Sequence, residues 1–270
     1  MHPNHKVILL TTLIFTIFPL SVSANTLEDI QKRGELRVAT DMSIPPSGML
    51  NASMQPVGSD VETAELLAKD WGVKLKFIES TGSTRIPNLQ TGKADIVIST
   101  LSVTPLRKEV IDFTIPYAGL RSIIAAPAAT QIDGWEDLKG HAITVTRGTT
   151  QDSRLTKNAP QKGYTIKRYD DDATMITAAV SGQAWAIGTS ATIANQIKKK
   201  NPKLDFEPKM TLTTLELAIG VRKNEPELKS KLNEWISMNL KNGKLNDIYK
   251  KYHGEPIPDE IMNYVDLNYD

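Results

Sequence analysis

Cysteine is absent from all 270 residues. That excludes a disulfide framework, a thiolate metal site, a cysteine nucleophile and acylation behind an N-terminal apolar segment. Histidine is nearly absent: of four residues, His2 and His5 stand at the extreme N-terminus and His141 and His253 lie far apart. A histidine-rich metal site cannot be assembled from these, and neither a metal nor any other cofactor is expected. No sign of charge dominates, with 32 Lys and Arg against 31 Asp and Glu. Without a basic block, the chain offers no reason to expect nucleic acid or an anionic membrane surface as partner. A G-x-S-x-G elbow, a P-loop and a G-x-G-x-x-G turn after a strand are all missing. Beyond residue 24, no apolar run is long enough to cross a bilayer.

The one long apolar stretch, Val7 to Leu20, follows His2, His5 and Lys6 and precedes the small residues Val22-Ser23-Ala24. This order predicts a cleaved secretory signal over 1–24. The remainder is then expected to be an exported protein of a bacterial periplasm. Lys6 is the leader's only basic residue, and the leader has no acid, so the remainder carries 31 residues of each sign. Its length suits one large domain or two smaller ones.

From residue 36 onward, short apolar runs alternate with amphipathic stretches. Strands are expected at Leu36–Thr40, Val73–Ile78, Ala94–Ser99, Ser122–Ala126, Ala142–Thr146, Tyr164–Tyr169, Trp185–Thr189 and Leu217–Val221. Helices are expected between them: Asp60–Trp71, Asp171–Val180, Ala191–Lys200, Glu225–Lys241 and Leu245–Tyr252. Repeated strand–helix order implies parallel sheets with helices on both faces, an α/β fold. Gly92 and Gly182 each close a helix before a polar residue and a buried strand, as left-handed C-caps do. The recurrence implies two similarly built halves.

The most informative stretch runs from Ala94 to Arg107. Ile96, Val97 and Ile98 form a buried strand that ends in the hydroxyl-rich turn Ser99-Thr100-Leu101-Ser102. Thr104 can cap a following helix through its side-chain oxygen, and Pro105 suits the first helical position. Hydroxyls, free backbone N–H groups and the fork of Arg107 meet there, a combination suited to a carboxylate. Four further stretches stand past strand ends or at helix starts, where open α/β sheets bind ligands. They are Thr40-Asp41-Met42-Ser43-Ile44-Pro45-Pro46, Ser83-Thr84-Arg85-Ile86-Pro87, Arg147-Gly148-Thr149-Thr150-Gln151 and Thr189-Ser190. The acids Asp170, Asp171 and Asp172 open a helix, where their charge favours the helix dipole.

Several segments together resemble the polar amino-acid family of periplasmic solute-binding proteins, the receptors of ABC importers (extracellular solute-binding family 3). They are Asp95–Arg107, Asp112-Phe113-Thr114-Ile115-Pro116-Tyr117, Asp137-Leu138-Lys139-Gly140 followed by Val145 to Gln151, and Asn242 to Tyr252. The resemblance covers nearly the whole chain after the leader. It implies a type II two-lobed fold, two Rossmann-like lobes joined by two crossing strands. Lobe one would comprise 25–120 and 214–270, and lobe two 121–213. It implies a monomeric carrier, not an enzyme, that takes a polar amino acid, acidic ones included, to an inner-membrane permease.

Carried over by position, Arg107 would hold the ligand α-carboxylate with Thr100, Ser102 and Thr150, beside Ser99 and Thr149. Ser59 stands in the family's ligand-contacting G-F-D stretch, and Arg85 where acidic-amino-acid receptors reach the distal group. Ile44 replaces the aromatic residue usual before the paired prolines. Ser190 replaces the Asp that usually pairs with the ligand ammonium. Either Asp172 or Asp41 substitutes for that Asp, or the ligand carries no α-ammonium. A secreted dehydratase-like enzyme on this fold and a sensor for a membrane receptor stay open as alternatives.

Overall fold

The structure, a computed structural model, describes residues 25–262. The expected signal peptide therefore lies outside the described residues. Helix α1 (Thr26–Arg33) is capped by Asn25, whose side chain accepts from the Glu28 N–H at 3.3 Å. It leads into β1 (Glu35–Thr40), then a small sheet of β2 (Ser43–Ile44), β3 (Gly48–Leu50) and β4 (Pro56–Val57). Helix α2 (Ser59–Trp71) buries Val61, Ala64, Leu67 and Ala68 on one face and stops at Gly72, whose φ of 67° only glycine adopts freely. Next come β5 (Lys74–Glu79), α3 (Arg85–Gln90), β6 (Ile96–Val97) and α4 (Pro105–Val110).

Strand β7 (Asp112–Pro127) then runs 16 residues into a second region. That region holds β8 (Ala142–Thr146), α5 (Thr150–Lys162), β9 (Thr165–Tyr169), α6 (Asp172–Val180), β10 (Ala186–Ser190) and α7 (Ala191–Lys200). Strand β11 (Phe206–Val221) returns antiparallel to β7, and α8 (Pro226–Lys241) and α9 (Lys244–His253) close against the first region.

All but the three small strands join one sheet in the order β5-β1-β6-β11-β7-β10-β8-β9. The pairs β1–β5, β1–β6, β8–β10 and β8–β9 are parallel, whereas contacts with the long strands are antiparallel. Buried side chains form separate clusters on the two sides of β7 and β11. One side packs Leu36, Ile98, Ile219 and Trp235, with a companion group around Ala39, Leu89 and Leu101. The other packs Ile123, Met175, Ile187 and Ile197, with a companion group around Ile143, Val145 and Leu155. Two cores sharing a pair of crossing strands make the two-lobed α/β architecture. The strands expected at Ser122–Ala126 and Leu217–Val221 are pieces of these crossing strands. Register shifts between Pro208 and Met210, Thr211 and Thr213, and Leu217 and Ala218 break their alternation.

Candidate functional site

The turn after β6 forms one wall of the space between the lobes. Ser99 is fully buried, its Oγ accepting from the Asp41 N–H at 3.0 Å. Thr100 takes φ +43° and donates its N–H to Asp60 Oδ2 at 2.7 Å. Ser102 bridges to Leu217 on β11. Thr104 and Pro105 then start α4 as expected, the Thr104 Oγ1 accepting from the Arg107 N–H at 3.3 Å. From α3, the buried Arg85 reaches back and donates Nη1 to the Ser99 carbonyl.

The opposite wall comes from strand ends and helix starts of the second region. Thr149 caps α5, accepting from the Asp152 N–H at 3.1 Å and donating to the Thr146 carbonyl at 2.8 Å. Asp172, in the first turn of α6, accepts from Thr146 Oγ1 at 2.8 Å. Ser190 ends β10 and caps α7, its Oγ accepting from the Ile193 N–H at 3.1 Å. Each hydroxyl stands where a strand hands over to a helix, so the local rules that start the helices also gather the polar groups.

Between the walls lies a cavity with about 590 Å³ of empty space, its mouth included. Arg85, Thr100, Ser102, Thr149, Thr150, Asp172, Ser190 and Ile44 border it. Gln151 and Thr189, from two of the expected stretches, border it as well, as do Ser47, Thr146 and Thr192, which were not among the expected residues. Thr146 ends β8 as Ser190 ends β10, and that strand-end placement was the available signal.

Other expected residues lie elsewhere. Ser59 does not border the cavity. Its Oγ meets His253 Nε2 at 3.0 Å beside a smaller space lined by Asp60 and Tyr117, because α2 turns this face toward α9. Ser99 and Asp41 stand behind the wall. Asp41 Oδ1 accepts from the N–H and Oγ of Ser43, at 2.9 and 2.6 Å. Its Oδ2 is buried without a partner among the described residues. Arg107 also does not border the cavity. Its Nη1 donates to the Ser102 carbonyl at 2.9 Å and its Nη2 crosses to the Gly148 carbonyl at 3.1 Å. It thus stands in the partition between the cavity and an outer groove, the two spaces sharing Gly82 and Thr150.

The electrostatics follow from burial. Desolvation, followed by the nearby Arg85, pushes the Arg107 guanidinium down to about 9, and its hydrogen-bond partners are carbonyls rather than carboxylates. Arg85 is likewise lowered by burial, with Asp41, Asp172 and Asp60 opposing the shift. Burial pushes Asp172 up to about 7 and also raises Asp41. The cavity therefore has the buried guanidinium of Arg85 on one side, with Arg107 in the partition behind it, and a hard-to-ionise carboxylate on the other. Such an arrangement is chemically suited to a small molecule carrying both charges. Among the described residues no group of His, Asp or Glu gathers as a metal site, and no helix is long and apolar enough to cross a membrane.

Fold and cleft together are those of the two-lobed solute-binding proteins, and solved amino-acid-binding proteins share the fold. A structure from Campylobacter jejuni, a cysteine-binding protein, matches with a TM-score of 0.79 at 26% identity, covering 84% of this chain and 92% of that one. An ancestral amino acid-binding protein described as a precursor of cyclohexadienyl dehydratase matches with a TM-score of 0.77 at 34% identity, covering 84% and 99%. Residues 36–255 match the model of the bacterial extracellular solute-binding proteins, family 3, and the chain belongs to that family. Among curated relatives, a probable histidine-binding protein of Neisseria gonorrhoeae is 28% identical over 219 residues, 80% of this chain and 82% of that protein. An ABC transporter glutamine-binding protein of Bacillus subtilis is 29% identical over 212 residues, 76% of each. These relatives are solute-binding proteins rather than enzymes.

Proposed function

We propose that this protein captures a free polar amino acid between its lobes and hands it to the permease of an ABC importer. In this reading the lobes divide as 25–120 with 214–270, and 121–213. The observation that carries the reading is a hydroxyl-lined cavity with Arg85 facing Asp172 across it and Arg107 in the partition behind, both guanidiniums buried and in no salt bridge among the described residues. An isolated buried charge is costly, so a ligand carboxylate that satisfies it gains strongly. Thr100, Ser102 and Thr150 supply hydroxyls to that carboxylate, and Arg107 exchanges a carbonyl partner for it. Asp172 takes the ammonium in place of Ser190, whose Oγ already caps α7. Asp41 is the weaker candidate for that role, since it stands behind the wall. Arg85, facing the cavity, favours polar or acidic side chains over cationic ones.

Ligand contacts come from both lobes, so binding stabilises the closed arrangement. The test is a thermal-shift screen of the standard L-amino acids. A ligand at a hundredfold excess over its Kd adds about 2.7 kcal/mol to the folded state. At least one polar amino acid should raise the melting temperature, and Arg107→Ala should abolish the shift. A flat response across the panel refutes the reading.

A further inference from the structure

Thr100 is β-branched and sits at φ +43°, a left-handed conformation that such residues rarely adopt. It also borders the ligand cavity. Strained residues of this kind persist only where their surroundings over-determine them. Here the determining contact is identifiable. The Thr100 N–H donates to Asp60 Oδ2 at 2.7 Å, and Tyr117 Oη donates to Asp60 Oδ1 at 2.8 Å. The carboxylate belongs to the first turn of α2, Tyr117 to β7 and Thr100 to the turn after β6, so a single buried group ties three elements together.

An acid in a first helical turn needs no such burial, since the dipole favours it at the surface as well. Asp60 is nonetheless 3% exposed and in no salt bridge among the described residues. Burial pushes it up to about 6, with Arg85 and the two hydrogen bonds acting downward and Asp41 upward. A group held at that disadvantage, with both oxygens committed, is doing what a neutral side chain could not. Asparagine carries no charge and puts an NH2 where the second acceptor oxygen stands, so it cannot accept a charge-assisted hydrogen bond from each donor in this geometry.

We propose that Asp60 is a positioning residue of the binding site, holding Thr100 in the left-handed conformation that presents it to the ligand. This rests on the cavity being the amino-acid site. The experiment is a double-mutant cycle of Asp60→Asn with Thr100→Gly on the full chain. Two readouts are used: calorimetric affinity for whichever standard L-amino acid stabilises the wild type most, and the urea midpoint without ligand. Glycine adopts a positive φ without strain, so in the Thr100→Gly background Asp60 has little left to hold.

Asp60→Asn alone should weaken affinity at least about tenfold, the loss expected of a charged hydrogen bond. On Thr100→Gly it should weaken affinity less than about twofold, and the urea midpoints should show the same coupling. If Asp60→Asn alone fails to fold, the double variant should fold, and its failure overturns the proposal. Equal losses in both backgrounds, or none in either, also overturn it. Should no amino acid bind the wild type, the reading of the cavity fails, while the urea cycle still decides the role of Asp60.

Discussion

Gly82 and Gly148 come from opposite lobes and touch across the cleft. A Cβ built on Gly82 would stand 2.7 Å from the Arg147 carbonyl oxygen, and one on Gly148 would stand 2.8 Å from the Gly82 carbonyl oxygen. Gly148 has φ +75°, so a substitution there is strained whatever the lobes do. Gly82 has an ordinary backbone, which makes Gly82→Ala the cleaner perturbation. Its methyl group can be relieved only by moving the two turns apart by several tenths of an ångström.

Overpacking of this kind costs about 1–3 kcal/mol. The cost falls only on the arrangement in which the lobes meet, which in the proposed function is the one that holds ligand. Affinity should therefore drop by roughly five- to 150-fold, at about 1.4 kcal/mol per decade. Without ligand, the same change should leave the urea midpoint unaltered or slightly raised, since alanine reduces the freedom of the unfolded chain. Calorimetry and denaturation on the same preparation separate the two effects. An affinity within about twofold of wild type would show that this contact has no part in closure.

Asp172→Asn should cost about 2–5 kcal/mol of binding if the carboxylate pairs with the ligand ammonium, and unchanged calorimetric affinity would clear it of that role. The pH dependence of Asp172 runs in two opposed directions. Raised from 3.8 to about 7 by burial, it holds in the folded state a proton that the unfolded chain releases. Its contribution to ligand-free stability is therefore greatest in acid and is lost as pH rises toward 7, whereas affinity for an ammonium grows over the same window. Urea midpoints and calorimetry at about pH 5 and about pH 8 should move oppositely. Asp95 offers a control away from the cleft. It is 1% exposed and accepts from Arg33 Nη2 at 2.6 Å, Arg37 Nη2 at 2.7 Å and the Arg37 N–H at 2.8 Å. Asp95→Ala should destabilise by about 1–3 kcal/mol through the orphaned donors while leaving affinity unchanged, as urea and calorimetry can establish.

Local chemistry made much of this legible in the sequence. Thr104 caps α4 with Pro105 at its first position, and Gly92 and Gly182 take φ +72° and +76° where helices stop. Helix α7 spans Ala191–Lys200 as its periodicity requires. What was not legible depended on which way a side chain turns across the chain's long-range contacts. Ser59 sits one residue before the buried Asp60, yet faces His253 instead of the cavity. Arg107 has the neighbours of an anion anchor, but its fork settles on carbonyls of both lobes. The crossing strands escaped detection as single elements because their bulges interrupt the period-two signal that a sequence can show.

Strands β7 and β11 pair Leu120 with Leu215 and Arg121 with Thr214. The chain thus departs for the far core and comes back through two neighbouring segments, like a cassette inserted at one slot. Exchanging the stretch between those points with that of a relative would replace Thr146, Thr150, Asp172 and Ser190 together while keeping Arg85 and Arg107. New ligand preferences could then arise by recombination at two adjacent joints, without rebuilding either core.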